Sequence, residues 1–290
     1  MKKLLTENPK LSVVIVSFNT KDILADCLDS LYKQRKELPF EVIVSDNASS
    51  DGTQKMVKTI YPWVKLIENG ENLGFAKGNN AARKVCKAKI ILFLNSDTIV
   101  PRDTLIKAYE QIIKDKKIGA LTCKTILPSG VLDPDARRSF PTPWVAFSHF
   151  SGLDRLFPTS ALFSRYWYGY VSSEVEQEVE VIQGAFFMTP KQVLDEIDWF
   201  DESYFLDGED IDLCWKIKKV GYKIKYFPDF TILHLKKASK KKAGNKSNVV
   251  SGVKSMELFY RKQMWQQYPM IVNYLVIIGI AMLKLIRSIK

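Results

Sequence analysis

The stretch AKIILFLN, residues 88–95, decides the fold. Five consecutive apolar residues, Ile90 to Leu94, read as a strand covered on both faces, as central parallel strands are. It closes on Asn95, Ser96 and Asp97, polar groups at the carboxyl end of a strand. Working outward, LSVVIVSF (11–18), FEVIVSD (40–46) and VKLIEN (64–69) are further strand runs. Between the first two, Ile23, Leu24, Cys27, Leu28 and Leu31 take helical spacing and fall on one side of a helix over 20–33. Ser49 or Ser50 can cap the next helix, with Asp51 in its first turn to suit the macrodipole. Helices over 74–85 and 104–114 and a strand at IGALTCK (118–124) continue the alternation. This rhythm is that of an α/β fold, a parallel sheet with helices on both faces.

Composition narrows the class. A chain of 290 residues, 46% hydrophobic, can bury a sizeable core and is too apolar for a disordered tail. Cys27, Cys86, Cys123 and Cys214 are widely spaced and form no CxxC pair, which argues against a disulfide scaffold or a zinc ribbon. The turn after the first strand reads SFNTKD, so the dinucleotide fingerprint GxGxxG is missing there.

Beyond residue 126 the pattern changes. Residues 127–178, with FPTPWVAFSHF and SRYWYGYVSS, are too apolar for a solvated linker and too broken for regular elements. They read as an insertion lying on the domain. A strand is expected over 179–188, a short helix from Pro190, and an amphipathic helix over 207–220 ended by Gly221. YKIKYFP (222–228) and FTILHL (230–235) read as two more strands.

The C-terminal run MIVNYLVIIGIAML (270–283) carries no formal charge and is flanked by Arg261, Lys262, Lys284 and Arg287. A helix of that length reaches only about 21 Å, against about 30 Å of hydrocarbon. The expectation is a tail, 251–290, that meets a membrane surface as a monotopic helix or marginal span at the cytoplasmic face of the cell membrane. A helix packed on the domain is the alternative. The net charge of +11 owes much to Lys236, Lys237, Lys240, Lys241, Lys242 and Lys246. That run has no interleaved aromatics for stacking bases, so nucleic acid is not an expected partner. Its place before the apolar tail suits a surface that faces a membrane.

Ligands of open parallel sheets bind beyond the carboxyl ends of the strands. Asp46 closes one strand there, Asp97 follows another, and Glu209 with Asp210 opens a helix after Gly208. Singly, each is an ordinary cap or turn residue. Jointly, they suit a ribose, a divalent cation on a diphosphate, and a general base.

The ordered blocks SFN (17–19), VSDNASSDGT (44–53), ENLGFAKGNNAA (71–82), LFLNSDT (92–98), GAFFMTPK (184–191) and FDESYFLDGEDIDLCWKIKKVGYKIKYFP (200–228), then His234, resemble glycosyltransferase family 2. Within it they are most similar to the rhamnosyltransferase-like branch. The resemblance extends over residues 10 to 240. It implies a GT-A fold, inverting transfer from a nucleotide-diphosphate sugar, and a divalent cation, Mg²⁺ or Mn²⁺. By the same resemblance Asp46 grips the nucleotide, Ser17, Phe18 and Asn19 line its pocket, and Asp97 holds the metal and diphosphate. Asp210 is then the base with Glu209 beside it, and His234 assists the metal. Where the family often has DxD, this chain has Asn95-Ser96-Asp97, leaving one carboxylate and His234 as protein ligands.

Other residues keep two readings. Asn72, Gly74, Gly78 and Asn79 either approach the donor or form a helix-capping turn. Arg137 and Arg138 are candidates for a phosphate on donor or acceptor. Gly184 and Ala185 are expected to keep the acceptor floor low. Trp199 and Phe200 form either an acceptor wall or core, and His149 reads as structural. Asp212 is expected to be a surface or helix partner. The helix starting at Glu209 is expected to lower the pKa of the acidic pair through its N–H groups.

The expected organisation is a transferase domain over 1–250, with a donor half at 10–125, the insertion at 127–178 and an acceptor half at 179–240. The expected function is transfer of a sugar to a glycan or lipid-linked glycan. A nucleotidyltransferase, which would need a Gly- and Arg-rich loop after the first strand, and a degenerate scaffolding domain are the alternatives.

Overall fold

The computed structural model describes residues 8–236 and 245–289. Strand β1 (Leu11–Ser17), helix α1 (Lys21–Tyr32), β2 (Phe40–Asp46), α2 (Thr53–Ile60), β3 (Lys65–Glu68), α3 (Gly74–Asn80) and β4 (Ile90–Leu94) alternate as the apolar spacing requires. Then come β5 (Thr98–Ile99), α4 (Thr104–Lys114), β6 (Ile118–Ile126), α5 (Pro143–Phe150), α6 (Leu153–Leu156), β7 (Gln177–Val179) and β8 (Phe186–Pro190). After these lie α7 (Lys191–Glu196), α8 (Glu209–Lys219), β9 (Lys223–His234), α9 (Asn245–Phe259) and α10 (Met270–Ile289).

The strands among the described residues form one sheet in the order β3-β2-β1-β4-β8-β6-β9-β5, with β7 beside β9. Strand β4 lies within it, every residue buried, as its unbroken apolar run requires. From β3 to β4 the sheet is parallel. Strand β8 then runs antiparallel to both β4 and β6, and β6 pairs with β9 in parallel. Because side chains alternate across a strand, the sheet feeds two cores. Leu11, Val13 and Ile15 join Leu24 and Leu28 of α1 and Leu105 of α4, while Val14 and Phe93 join Ala76 of α3 and Leu213 and Ile217 of α8.

Several boundaries differ from the sequence expectation. Helix α2 begins at Thr53 after Gly52, which has φ +87°, and neither Ser49 nor Ser50 caps it. Ser49 is instead bound to Asp46, and Asp51 accepts from the amide and hydroxyl of Thr53. Helix α3 stops at Asn80, and the run over 179–188 contains β8 but breaks between Val179 and Phe186. Residues 223–234 form one strand rather than two. Pro228, which has no N–H to donate, is accommodated where the ladder with β6 shifts register between Cys123 and Lys124. The insertion contains α5, α6 and a 3₁₀ turn at Pro134–Ala136.

The membrane expectation is overturned. Among the described residues no helix is long and apolar enough to cross a membrane. Helix α10 instead pairs with α9, and its Asn273 is buried rather than facing lipid. The Asn273 Nδ2 donates to the carbonyls of Trp265 and Tyr268, and its Oδ1 accepts from the Tyr260 hydroxyl at 2.7 Å. The apolar run is therefore interrupted by Asn273 and closed by Lys284. The marginal span, and the place at the cytoplasmic face of a membrane drawn from it, do not stand. The lysines from 237 to 242, read as facing that membrane, lie outside the described residues.

Candidate active site

The nucleotide-side candidates gather where β1 and β2 end. Ser17 and Asp46 are cross-strand partners in the β1–β2 register, so both strands release their chains at one level. Asp46 is buried, and its carboxylate accepts from the Ser49 amide (2.9 Å), the Ser49 hydroxyl (2.6 Å) and Gln54 Nε2 (2.7 Å). The same Ser49 hydroxyl accepts from the Asn19 amide at 2.8 Å, and Asn19 Oδ1 accepts from the Ser50 amide. Asn19 holds φ +53°, a left-handed turn that asparagine tolerates better than most residues. Phe18, beside it, is 42% exposed. Loop 17–20 and loop 46–53 are therefore cross-linked into one rim.

The α3 side of this rim is equally committed. Asn72 Oδ1 accepts from the Gly74 amide and from Asn47 Nδ2, which also donates to the Gly74 carbonyl. Gly74 has φ +77°, and a Cβ there would collide with the carbonyl oxygen of Phe205. The Phe75 amide donates to that same carbonyl at 2.8 Å, tying α3 to the loop that leads into α8. Gly78 lies against Val16 and Asn47, and Asn79 donates to the Phe75 carbonyl. Glycine at 74 is thus required by backbone conformation and by close packing together.

The candidate cation side lies where β4 and β9 end. Asp97 Oδ1 stands 3.3 Å from His234 Nε2, both side chains nearly buried, and Asn95 Nδ2 lies 3.5 Å from the same nitrogen. The register of β5 against β9 sets this approach, pairing Thr98 with His234. The His234 Nδ1 bonds Asp133 Oδ2 at 3.1 Å. Burial opposes a charged imidazolium, but the bonds to Asp133 and Asp97 outweigh it, and the His234 pKa is pushed up to about 9. For Asp133, burial is likewise outweighed by donors from His234 and Lys236, which hold its carboxyl well below the usual range. Among the described residues no group of three His, Cys, Asp or Glu side chains is arranged to hold a metal. The donor set is one carboxylate and one imidazole, which suits a cation completed by the oxygens of a diphosphate.

Glu209 and Asp210 occupy the first turn of α8, after Asp207 (φ +67°) and Gly208 (φ +89°). Arg138 Nη2 donates to Asp210 Oδ2 at 2.5 Å, and the Ile211 amide donates to Oδ1. Glu209 Oε2 is buried without a hydrogen-bond partner among the described residues. Burial and the neighbouring Asp210 charge raise the Glu209 pKa well above its ordinary value. The expected lowering by the helix N-terminus is reversed at Glu209, because desolvation of a fully buried carboxyl outweighs a helix-end field.

Other candidates take different places. The Arg137 guanidinium donates to the carbonyls of Val171 and Ser172 and lies over the Tyr226 ring, so part of its donor set is taken by insertion backbone. Trp199 is a core residue, edge-on to Phe93 with Nε1 on Asp195, and Phe200 packs 4.8 Å from Phe93. A polar surface hollow is lined by Asn80, Arg83, Asp198, Phe200 and Asp201, but neither Trp199 nor the strand-end carboxylates line it. Gly184 abuts Phe75, whose ring would lie 2.9 Å from a Cβ there, and Ala185 is buried in the core. Asp212 is buried rather than on the surface and accepts from Gln263 Nε2 at 2.8 Å. His149 bonds Asp154 among Tyr166 and Trp167, a structural histidine.

Asp133 and Gln183 escaped the sequence reading. Gln183 Nε2 donates to Asp133 at 3.2 Å, across 50 residues of chain. Asp-Pro at 133–134 signals only a turn, and its carboxylate does cap that turn through the Asp135 amide. No local pattern points to a histidine 101 positions later.

The family model described as glycosyl transferase family 2 matches residues 12–197. YfnE of Bacillus subtilis, an uncharacterized glycosyltransferase, is 39% identical over 106 residues, 35% of this chain and 27% of that protein. The N-acetylglucosaminyl-diphospho-decaprenol L-rhamnosyltransferase of Mycobacterium tuberculosis is 26% identical over 237 residues, 78% of this chain and 76% of that one. Among solved structures, the mannosyltransferase PcManGT of Pyrobaculum calidifontis, in complex with GDP-Man and Mn²⁺, superposes with a TM-score of 0.59 at 21% identity. That likeness covers 89% of this chain and 64% of the other, and it shows a shared fold.

Proposed function

Since this chain belongs to glycosyl transferase family 2, we propose that it moves a sugar from a nucleotide-diphosphate donor to a hydroxyl of a glycan or lipid-linked glycan, with inversion. The nucleotide lies against the rim built on Asp46, Ser17, Phe18 and Asn19. Asp97 and His234 hold a divalent cation, Mn²⁺ or Mg²⁺, as the complex of the mannosyltransferase with GDP-Man and Mn²⁺ suggests. Bound there, the cation supplies charge against a departing diphosphate.

Asp210 takes the acceptor proton. The observation that carries this is the unequal environment of two adjacent carboxyls. Glu209 is buried with an orphaned Oε2, an environment that favours its protonated form. Asp210 is held in a buried ion pair with Arg138. Each carboxylate oxygen has two lone pairs, so Asp210 retains acceptor capacity beyond Arg138 and the Ile211 amide. Splitting a carboxyl pair into one acid and one base is a common device of active sites. With one base and no second carboxylate as nucleophile, direct displacement inverts the anomeric carbon.

The acceptor of the mycobacterial rhamnosyltransferase, as its name states, is a diphospho-decaprenol-linked N-acetylglucosamine, which supports a lipid-linked acceptor here. A panel of UDP-, GDP- and dTDP-sugars with Mn²⁺ tests the reading. Release of nucleoside diphosphate by the wild type and its loss in Asp210→Asn are expected. Equal release by both would remove Asp210 from the role.

A further inference from the structure

A histidine at a strand end binds a cation only if its far ring nitrogen holds the proton and its ring is kept from turning. In this chain one buried carboxylate does both. Asp133 has 0% exposure, and its amide donates to the Thr125 carbonyl at 2.8 Å, fixing the residue to the end of β6. Its Oδ2 faces His234 Nδ1 (3.1 Å) and Gln183 Nε2 (3.2 Å), and its Oδ1 accepts from Lys236 Nζ (2.9 Å) and the Asp135 amide (3.1 Å). Four donors from three stretches of the chain thus immobilise both oxygens. An ionised carboxylate can only accept, so His234 donates to Asp133 from Nδ1, and Nε2, 3.3 Å from Asp97, is the nitrogen whose proton a cation would replace.

We infer that Asp133 is a positioning residue for the cation site, holding the ring and tautomer of His234 so that Nε2 can serve as a ligand beside Asp97. The inference rests on the proposed transferase reading. The Lys236 head is more accessible than the nearly buried His234 and can exchange this bond for water more readily than His234 can replace its Nδ1–H bond. The loss of Asp133 therefore falls on the histidine. Asp133 also caps the 3₁₀ turn Pro134–Ala136, which ends two residues before Arg138, the partner of Asp210, so one short segment braces both sides of the site.

The test is binding of UDP, GDP and dTDP to the full chain by calorimetry, with Mn²⁺ and with EDTA, in wild type and Asp133→Asn. Loss of an outer partner of a metal-binding histidine lowers metal affinity about 10- to 100-fold. That loss is expected for Mn²⁺ in Asp133→Asn, with nucleotide binding in EDTA unchanged. The loss should also vanish in a His234→Gln background. Mn²⁺ affinity within twofold of wild type would overturn the inference and leave the transferase reading intact. Absence of Mn²⁺-dependent binding in the wild type would instead overturn the cation reading, and Asp133 with it. If Asp133→Asn does not fold, ¹⁵N-histidine spectra of the wild type with Zn²⁺ and UDP decide, since the chain has two histidines. A proton on Nδ1 of His234 supports the inference, and one on Nε2 overturns it.

Discussion

Arg138 and Asp210, 72 residues apart in the chain, form a buried ion pair in which Nη2 donates to Oδ2 at 2.5 Å. The arginine comes from the start of the insertion and the aspartate from the first turn of α8. The insertion therefore touches the proposed chemistry directly, through one guanidinium. Arg137, its neighbour, turns the other way, donating to the backbone of residues 171 and 172 and lying over the Tyr226 ring.

Replacing Arg138 by Gln leaves Asp210 charged, buried and beside Glu209 without a counter-ion. Breaking such a pair from one side typically costs about 3–5 kcal/mol. A lower Tm and a fall in kcat of about 100-fold or more are expected, with the donor KM little changed. Arg138→Lys should recover part of both. A donor KM that rises while kcat holds would make Arg138 a phosphate contact instead.

Glu209 gives stability a pH dependence of definite sign. Its folded pKa lies above its unfolded value, so between the two the folded state binds more protons than the unfolded one. Its contribution is full below about pH 4.5, the ordinary glutamate value, and falls as pH rises toward the folded pKa. Glu209→Gln cannot ionise and escapes that decline. It should match wild type near pH 4 in urea unfolding and exceed it at pH 7. Parallel curves across that range would contradict the buried, protonated carboxyl.

Asp97→Asn and Asp46→Ala should fail differently. The first removes the carboxylate beside His234 and should abolish the Mn²⁺ dependence of nucleotide binding, leaving binding in EDTA as in wild type. The second releases Ser49 and Gln54 together and should weaken nucleotide binding with or without the cation. Calorimetry on the two variants, side by side, checks both.

Gly74 and Gly70 have similar positive φ, +77° and +75°, but different surroundings. A Cβ at 70 meets nothing, so Gly70→Ala should cost only the backbone strain, about 1 kcal/mol. At 74 the Cβ would strike the Phe205 carbonyl that bonds the Phe75 amide, so Gly74→Ala should cost about 3 kcal/mol or more. Chemical unfolding of the two variants measures the difference. Equal losses would mean that the contact with Phe205 carries no energy.

Much of the donor half was legible because its signals are local. Strand β2 and helix α4 lie where the apolar periodicity sets them, and Asp46, Asp97 and the Glu209–Asp210 pair stand out at element ends. The helix over 20–33 is likewise written in residues three and four apart. Locality also misled where a long-range contact competes. Ser49 reads as a cap, but its hydroxyl is taken by Asp46. Pro228 reads as a break between strands, but β6 supports a single strand through a register shift.

By itself, then, the sequence determined the alternating elements and which carboxylates end them, since backbone periodicity and capping act over a few residues. Only the tertiary structure decided that Asp133 meets His234 across 101 residues, that Arg138 rather than Arg137 meets Asp210, and that α10 packs on α9. Those pairings follow from how the strands, the helices and the insertion pack against one another. Neighbourhood is set by the packing of the whole chain, which leaves no mark in any short stretch of it.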